Sequence, residues 1–416
     1  MMWQDFPELL SKLQFDDKPA GGSLVIIHKG KTVVNTAIGQ ALPHQNWHAH
    51  TLSVNFSIGK GVLATLMAVL VSKGLLDYDT PIKSYWTEFG VGGKEHITPR
   101  HVLTHTSGLF NITTLTNDTD ELTDWQAMTT KVAQMSPDTP KGQDEHDYGS
   151  AYAALVLGWI LGGLVERVTG LSLQDALDEY LAKPLGLYKE LYYKLPADKL
   201  GQVARPVRYF DGTPITKHKP TLKPDSKEML LVYAGLDIAP LWAENVTTLS
   251  TANINRLYFD TTKMNLSNYK NALMPNGRDG IDYHHDKVMQ ASIPAANGVS
   301  SAHALAVIYA MHANDGVWQG QTLITPAVLA DMRAVRVDGF DAVMPANMRW
   351  RSGFHRLFSL QDTPHAYGHM GYNGSVAFCD PNRHLSFAFI HNFDTTMLND
   401  VRQFALVETA IACATS

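Results

Sequence analysis

The sequence has little cysteine and no run of basic residues, and each absence excludes a class of protein. Cys379 and Cys413 are the only cysteines in 416 residues. A secreted domain held by disulfides uses more, so a reducing compartment is favoured. The formal net charge is -6, which disfavours nucleic acid or an anionic membrane as a partner, because phosphates need a basic face.

The sequence also lacks the patterns of a secretory leader and of a membrane span. Its first residues, MMWQDFPELLSKLQFDD, have neither the basic start nor the apolar core of a signal peptide. The longest apolar stretch, residues 151–165, is followed by Glu166 and Arg167 and is too short to cross a bilayer. We therefore expect a cytoplasmic protein.

Motifs of several other enzyme classes are missing. There is no Gly-x-Ser-x-Gly elbow of an α/β-hydrolase and no Gly-rich phosphate loop. The chain has 18 histidines, but neither those at 44–50 nor the group at 284–286 follows the His-Glu-x-x-His pattern of a catalytic zinc site. The sequence therefore predicts no metal and no cofactor.

Hydrophobic periodicity predicts strands near both ends of the chain and helices between them. Predicted strands cover residues 23–28, 32–38, 350–354, 374–379 and 385–391. Predicted helices cover residues 6–13, 59–73, 98–103, 148–168, 301–313 and 398–412, with another from 172 that stops before Pro184. Residues 194–294 show little periodicity, and we expect loops and short helices there. The simplest packing is an α+β fold: one antiparallel sheet flanked by helices (1–76 with 295–416) and an inserted, mainly helical region (77–294).

Ser57 and Lys60 are the first candidate catalytic pair. A serine at the start of an apolar helix, with lysine three residues later, places both side chains on one helix face. A lysine in a buried cleft loses part of its affinity for a proton and supplies a neutral amine as base. The spacing alone is weak, since Ser267 and Lys270 repeat it in a polar stretch.

Several strings taken together are more specific. Asn55-Phe56-Ser57-Ile58-Gly59-Lys60, the segment 75–82 and Ile97-Thr98-Pro99-Arg100-His101-Val102-Leu103-Thr104-His105-Thr106-Ser107-Gly108-Leu109 occur in order. They resemble class C β-lactamases, penicillin-binding proteins and family VIII esterases. The resemblance implies the β-lactamase/penicillin-binding-protein fold, with Ser57 as the nucleophile of an acyl-enzyme.

The resemblance also implies a tyrosine base. Tyr148-Gly149-Ser150 lies where the family has Tyr-x-Asn, so Tyr148 would activate Ser57 together with Lys60, and Ser150 would contact the substrate. Ser150 replaces the family's asparagine. A literal Tyr-x-Asn occurs at Tyr269, but its polar neighbours indicate a surface tyrosine.

The third family motif is represented by His369-Met370-Gly371, where β-lactamases have Lys-Thr-Gly. The resemblance assigns His369 and Gly371 to substrate binding and the backbone N–H groups of Ser57 and Tyr372 to the oxyanion hole. Histidine is mostly neutral at pH 7, so this cleft lacks the fixed positive charge that binds the carboxylate of a β-lactam.

These departures favour a carboxylesterase of small esters. The alternatives are a D-amino-acid amidase or peptidase, a β-lactamase, and, in a different class, a catalytically silent member that binds a ligand or a partner. We expect a small-molecule ester or amide as substrate, and the sequence does not give the oligomeric state.

Overall fold

Strands lie near both ends of the chain and helices fill its middle. A computed structural model describes residues 2–15, 17–142, 148–210, 225–276 and 280–415. The strands are β1 (Gly22–His28), β2 (Lys31–Ile38), β3 (Gln40–Leu42), β4 (Gln45–Asn46), β5 (Ser53–Val54), β6 (Leu191–Tyr192), β7 (Val299–Ser300), β8 (Val317–Trp318), β9 (Gln321–Thr322), β10 (His355–Arg356), β11 (Tyr367–Met370), β12 (Val376–Asp380) and β13 (Leu385–His391). The helices are α1 (Phe6–Leu13), α2 (Ile58–Ser72), α3 (Pro99–Leu103), α4 (Trp125–Gln134), α5 (Val156–Thr169), α6 (Leu173–Leu177), α7 (Lys183–Leu185), α8 (Lys227–Ala234), α9 (Ala239–Ala243), α10 (Thr251–Arg256), α11 (Leu266–Leu273), α12 (Asp286–Met289), α13 (Ala302–Ala313), α14 (Pro326–Arg333) and α15 (Arg402–Thr415).

The main sheet joins the two ends of the chain. Its six strands are ordered β10-β11-β12-β13-β1-β2, and neighbouring strands are antiparallel. Strand β1 lies between β2 and β13, with Gly22 opposite both Ile38 and His391. The predicted antiparallel sheet and its helical flanks are confirmed.

Helices cover this sheet because packing on it removes their apolar surfaces from water. Helix α13 is apolar nearly all round and packs on β1, β12 and β13, while α1 packs on β2 and α15 on β13. The hydroxyl of Ser301 accepts a hydrogen bond from the N–H of Ala304 and so caps the start of α13. Helix α2 packs against β11 and against α5, which brings the predicted nucleophile helix to the end of the sheet that carries the third motif.

A second, smaller sheet stands beside the start of α2. Strand β7 pairs with β5 on one side and β6 on the other, so Ser300 lies opposite both Ser53 and Leu191. This sheet ties together segments from the two predicted regions, 1–76 with 295–416 and 77–294. That division of the chain stays a prediction.

Three sequence-based element predictions are wrong. Helix α5 begins at Val156 instead of residue 148, and residues 148–155 are irregular. The helical run from α6 continues past Pro184. A π-helical turn over Asp178–Ala182 separates α6 from the short helix α7, and Pro184 lies in the first turn of α7, where a proline is tolerated. Residues 350–354 form no strand: Trp350 makes a single bridge to Val337, and pairing in the sheet starts at β10.

Membrane-spanning length is not reached by any one helix in the described ranges. Only α5 taken together with the run from α6 to α7 would be long and apolar enough, and the two parts meet at a bend of 76°.

Candidate active site

Ser57 stands at the N-terminus of α2, at the end of a constrained turn. The preceding residue, Phe56, has a φ of 50°, a left-handed conformation that is unfavourable for an aromatic residue and is typical of functional turns. Asn55 fixes this turn from the other side: its N–H donates to the carbonyl of Gly298, and its side-chain amide donates to Ser300. Strand β7 therefore holds the serine in place.

Lys60 lies one helical turn further and is buried. Its Nζ lies 3.1 Å from Oγ of Ser57 and 2.7 Å from the carbonyl oxygen of Ala295. Burial lowers the pKa of the Lys60 ammonium well below its ordinary value. The amine can therefore exist in its neutral form at much lower pH than an exposed lysine.

Tyr152 is the tyrosine that contacts Ser57. Its hydroxyl donates a hydrogen bond to Oγ of Ser57 at 2.9 Å, and Nζ of Lys60 lies 4.8 Å from the centre of its ring. The ring stacks on Trp350, with centroids 5.6 Å apart and planes inclined by 9°. Burial raises the pKa of the Tyr152 phenol above its ordinary value, so this hydroxyl is protonated beside the serine.

The tyrosine beside Ser57 is Tyr152 and not the predicted Tyr148. The expected helix start at residue 148 would have put that tyrosine at the helix N-terminus, but α5 begins at Val156 and the irregular segment before it carries Tyr152 to the nucleophile. The hydroxyl of Tyr148 lies instead beside Gly142. Tyr148 and Tyr152 are four residues apart, and the sequence pattern cannot distinguish them unless the start of α5 is known.

Ser150 belongs to a buried hydrogen-bond network. It is buried, its hydroxyl donates to Oδ2 of Asp341 at 2.6 Å, and it accepts from Nε1 of Trp350 at 3.0 Å. Asp341 also accepts from the N–H of Tyr152 at 3.2 Å. This buried network therefore positions the Tyr152 segment and its stacking partner. Ser150 is not among the residues that line the cavity, and its substrate contact stays a prediction.

The predicted oxyanion hole meets at the mouth of the same site. Ser57 and Tyr372 both line one cavity. Gly371 lets the two segments approach, because a Cβ on it would lie 3.1 Å from the carbonyl oxygen of Asn55 and 3.4 Å from Cβ of Phe56. Within the described ranges neither the N–H of Ser57 nor that of Tyr372 donates to a backbone carbonyl, and their pairing as an oxyanion hole stays a prediction.

Three buried histidines surround the Lys60–Tyr152 pair. His105 lies 4.9 Å from the Tyr152 ring, and its Nδ1 accepts from the N–H of Ala153 at 3.0 Å. The rings of His355 and His369 lie 4.8 Å apart, and Nε2 of His355 accepts from the N–H of Met370. Burial, with smaller contributions from His355 and Lys60, lowers the pKa of His369 well below its ordinary value. His369 is thus neutral at pH 7, as the sequence indicates.

A cavity of about 180 Å³ opens onto Ser57 and is mostly apolar. Ser57, Tyr152, His369 and Tyr372 lie in its wall, as does Ala154, two residues after the tyrosine. The apolar part of the wall consists of Phe56, Leu155, Phe259, Leu273, Met274, Ile281, Met344, Met348, Phe358, Met370, Phe393 and Met397. Seven of these twelve residues lie in 194–294 or 340–358. The weakly patterned region 194–294 was expected to supply pocket walls, but sequence periodicity singled out none of these residues.

The charges in that wall are paired. Arg208 forms ion pairs with Asp394 and Asp282, so it brings no uncompensated positive charge to the cavity. His284, weighed in the sequence only as part of an exposed histidine group, is buried and lines the cavity. Tyr269 is likewise buried, so the prediction of a surface tyrosine is wrong.

Comparisons with known proteins agree with this architecture. The family model described as Beta-lactamase matches residues 7–410. Esterase/beta-lactamase LipL of Mycobacterium tuberculosis is 27% identical over 380 residues, which cover 89% of this chain and 77% of that protein.

Solved structures give the same result. A penicillin-binding protein homologue from Caulobacter crescentus superimposes with a TM-score of 0.73 at 28% identity, covering 99% of this chain and 97% of that one. A family VIII carboxylesterase superimposes with a TM-score of 0.71 at 25% identity and the same coverage. With the family model spanning nearly all of its length, the chain belongs to the beta-lactamase family of serine hydrolases.

Proposed function

We propose that the protein is a carboxylesterase that hydrolyses small, uncharged esters through an acyl-enzyme on Ser57. The observation that carries this proposal is the position of Oγ of Ser57, held between Lys60 and Tyr152 at the edge of a mostly apolar cavity. Relatives named as esterases support it. The substrate is a small molecule, and neither nucleic acid nor a membrane is proposed as a partner.

The charge of the cavity supports an uncharged substrate. His369 stands where β-lactamases have a lysine, and it is neutral at pH 7 because burial lowers its pKa. Among the described residues of the wall, the arginine is Arg208, and it is already paired with Asp394. A substrate carboxylate would find no free cation among these lining groups and would lose its hydration on entry.

Acylation starts with Lys60 in the proposed mechanism. Its neutral amine takes the proton of the Ser57 hydroxyl 3.1 Å away, and Oγ forms a bond to the ester carbonyl carbon. The N–H groups of Ser57 and Tyr372 stabilise the oxyanion. The bond to the alcohol oxygen then breaks, and the Tyr152 hydroxyl gives that oxygen a proton and recovers one from Lys60.

Deacylation repeats these steps with water. Water attacks the acyl carbon, its proton passes to the Tyr152–Lys60 pair, and Ser57 leaves as a hydroxyl with the acid product released. Because the pKa of Tyr152 is raised and that of Lys60 lowered, we assign the base to Lys60 and the proton donor to Tyr152. Tyr148, the predicted base, has no role in this mechanism.

The test is turnover of p-nitrophenyl butyrate followed by absorbance, with intact-mass spectrometry of the protein in the same reaction. Wild type is expected to turn over and to carry a butyryl group transiently, whereas Ser57→Ala does neither. Ser267→Ala, in the second Ser-x-x-Lys string, is the matched control and keeps full activity. A penicillin is tested in parallel. A stable adduct without ester turnover would instead indicate a penicillin-binding or peptidase role. No reaction with either compound would indicate a catalytically silent family member that binds a ligand or a partner.

A further inference from the structure

Two histidines and a glutamate meet on the surface beside the small sheet. His50 precedes β5, Glu190 precedes β6, and His303 follows β7 in the first turn of α13. Each of the three strands of the sheet therefore contributes one neighbouring residue to the cluster. Their side chains are 57%, 20% and 34% exposed, so a small ion from solvent can reach them.

The ligand-type atoms of these residues converge. Nδ1 of His50 lies 3.1 Å and Nδ1 of His303 lies 3.2 Å from the same oxygen, Oε2 of Glu190. The two imidazole rings are 4.5 Å apart between centroids. The three ligand atoms all lie within 4.8 Å of one another.

These separations match the needs of a metal ion. Zinc bonds of about 2.0–2.2 Å to nitrogen and oxygen in tetrahedral geometry put neighbouring ligand atoms about 3.3 Å apart. The two measured N···O distances are already close to that value. Two imidazoles with one carboxylate suit zinc and other late first-row divalent ions.

The Glu190 carboxylate is held in place before any ion arrives. The Ser301 hydroxyl donates to Oε2 of Glu190, and the N–H of Ser301 donates to the Glu190 backbone carbonyl. A supporting group that orients a ligand in this way is a regular part of metal sites.

We propose that His50, Glu190 and His303 form a binding site for Zn²⁺ or a similar divalent transition-metal ion, with water completing the coordination. The site is outside the Ser57 cavity, and none of its ligands lines that cavity. Its bound ion links the three segments that carry β5, β6 and β7. Binding to the folded chain alone stabilises it.

The test uses the full chain without a histidine tag, stripped with a chelator. Co²⁺ is titrated first, because its visible absorption reports tetrahedral nitrogen and oxygen ligands, and Zn²⁺ then displaces it. One ion per chain is expected, together with a Zn²⁺-dependent rise in the melting temperature. His303→Ala and, separately, His50→Ala are expected to weaken binding at least about tenfold.

Controls separate this site from adventitious binding. His365→Ala removes an exposed histidine elsewhere on the chain and is expected to bind like wild type. Ester turnover by Ser57 reports folding of every variant and does not depend on the ion. The proposal is overturned if the His50→Ala, His303→Ala double variant binds Co²⁺ as tightly as wild type, or if His365→Ala weakens binding as much as the cluster variants do.

Discussion

The Tyr152 hydroxyl lies 2.9 Å from Oγ of Ser57, its ring stacks on Trp350, and Nζ of Lys60 lies 4.8 Å from the centre of that ring. This contact assigns the proton donor to a residue four positions later than the sequence predicts. Replacing Tyr152 with phenylalanine removes the donor and keeps the stacked ring. We expect kcat/KM for p-nitrophenyl butyrate to fall about 10²- to 10⁴-fold.

Tyr148→Phe is the matched control, since it deletes the same atom from the tyrosine that the sequence favours. It is expected to stay within a few-fold of wild type. If Tyr148→Phe lost the larger share of activity, the assignment of Tyr152 would be wrong.

The buried amine of Lys60 predicts how activity depends on pH. Its folded pKa is lowered by burial, so the neutral base appears as pH rises through that lowered value, far below the ordinary value near 10.4. We expect the acid limb of kcat/KM to follow one deprotonation in that range. A profile that rises only near pH 10 would contradict Lys60 as the base.

The same shift makes stability rise with pH. The unfolded chain binds the Lys60 proton more tightly than the folded chain does, so the free energy of unfolding increases between the lowered folded pKa and the ordinary lysine pKa. Lys60→Met lacks this dependence. Chemical denaturation at several pH values should show the stability advantage of Lys60→Met over wild type shrinking as pH increases.

Ser150 is expected to affect stability more than substrate binding. Ser150→Ala removes a hydrogen bond to the buried Asp341 carboxylate, and leaving that group short of a donor costs about 1–3 kcal/mol. The measurement is the free energy of unfolding alongside KM for the ester. A raised KM without loss of stability would support the substrate contact predicted from the sequence.

His369 is expected to determine which substrates bind. Its Nε2 is buried and has no hydrogen-bond partner among the described residues, and the ring lines the cavity. His369→Ala should therefore raise KM for small esters about tenfold, which corresponds to the free energy of the one hydrogen bond that Nε2 would make to the substrate. His369→Lys restores a cation and should shift preference towards a carboxylate-bearing substrate such as a penicillin. Equal acylation rates by penicillin in wild type and His369→Lys would contradict this.

The sequence was sufficient for the parts of the protein that follow local rules. The helix that carries Ser57 and Lys60, the strands β1, β2 and β13, and the helix α13 are each long and strongly patterned, so their position along the chain is predictable within a few residues. The order of the motifs predicted the family and hence the fold.

The segment before α5 and the cavity wall depend on long-range contacts, which sequence periodicity does not indicate. The apolar stretch after Tyr148 reads as helix, yet hydrogen bonds to Asp341 and His105 hold its first part in an irregular path. The individual residues of the cavity wall were unpredictable for the same reason, because Phe259, Met274 and Phe393 come from distant segments and meet only in the folded chain. A pair such as Ser150 and Asp341, separated by 191 positions, has no local signature.

The place of β1 in the main sheet bears on how the protein is made. Gly22 pairs with His391, so one edge of β1 stays unpaired during synthesis until residue 391 has left the ribosome. An open apolar strand edge is a template for pairing with other chains, and pairing over so long a loop is slow. Newly made chains should therefore depend on chaperones more than the stability of the folded protein suggests, and activity should appear with a delay after residue 391 has been made.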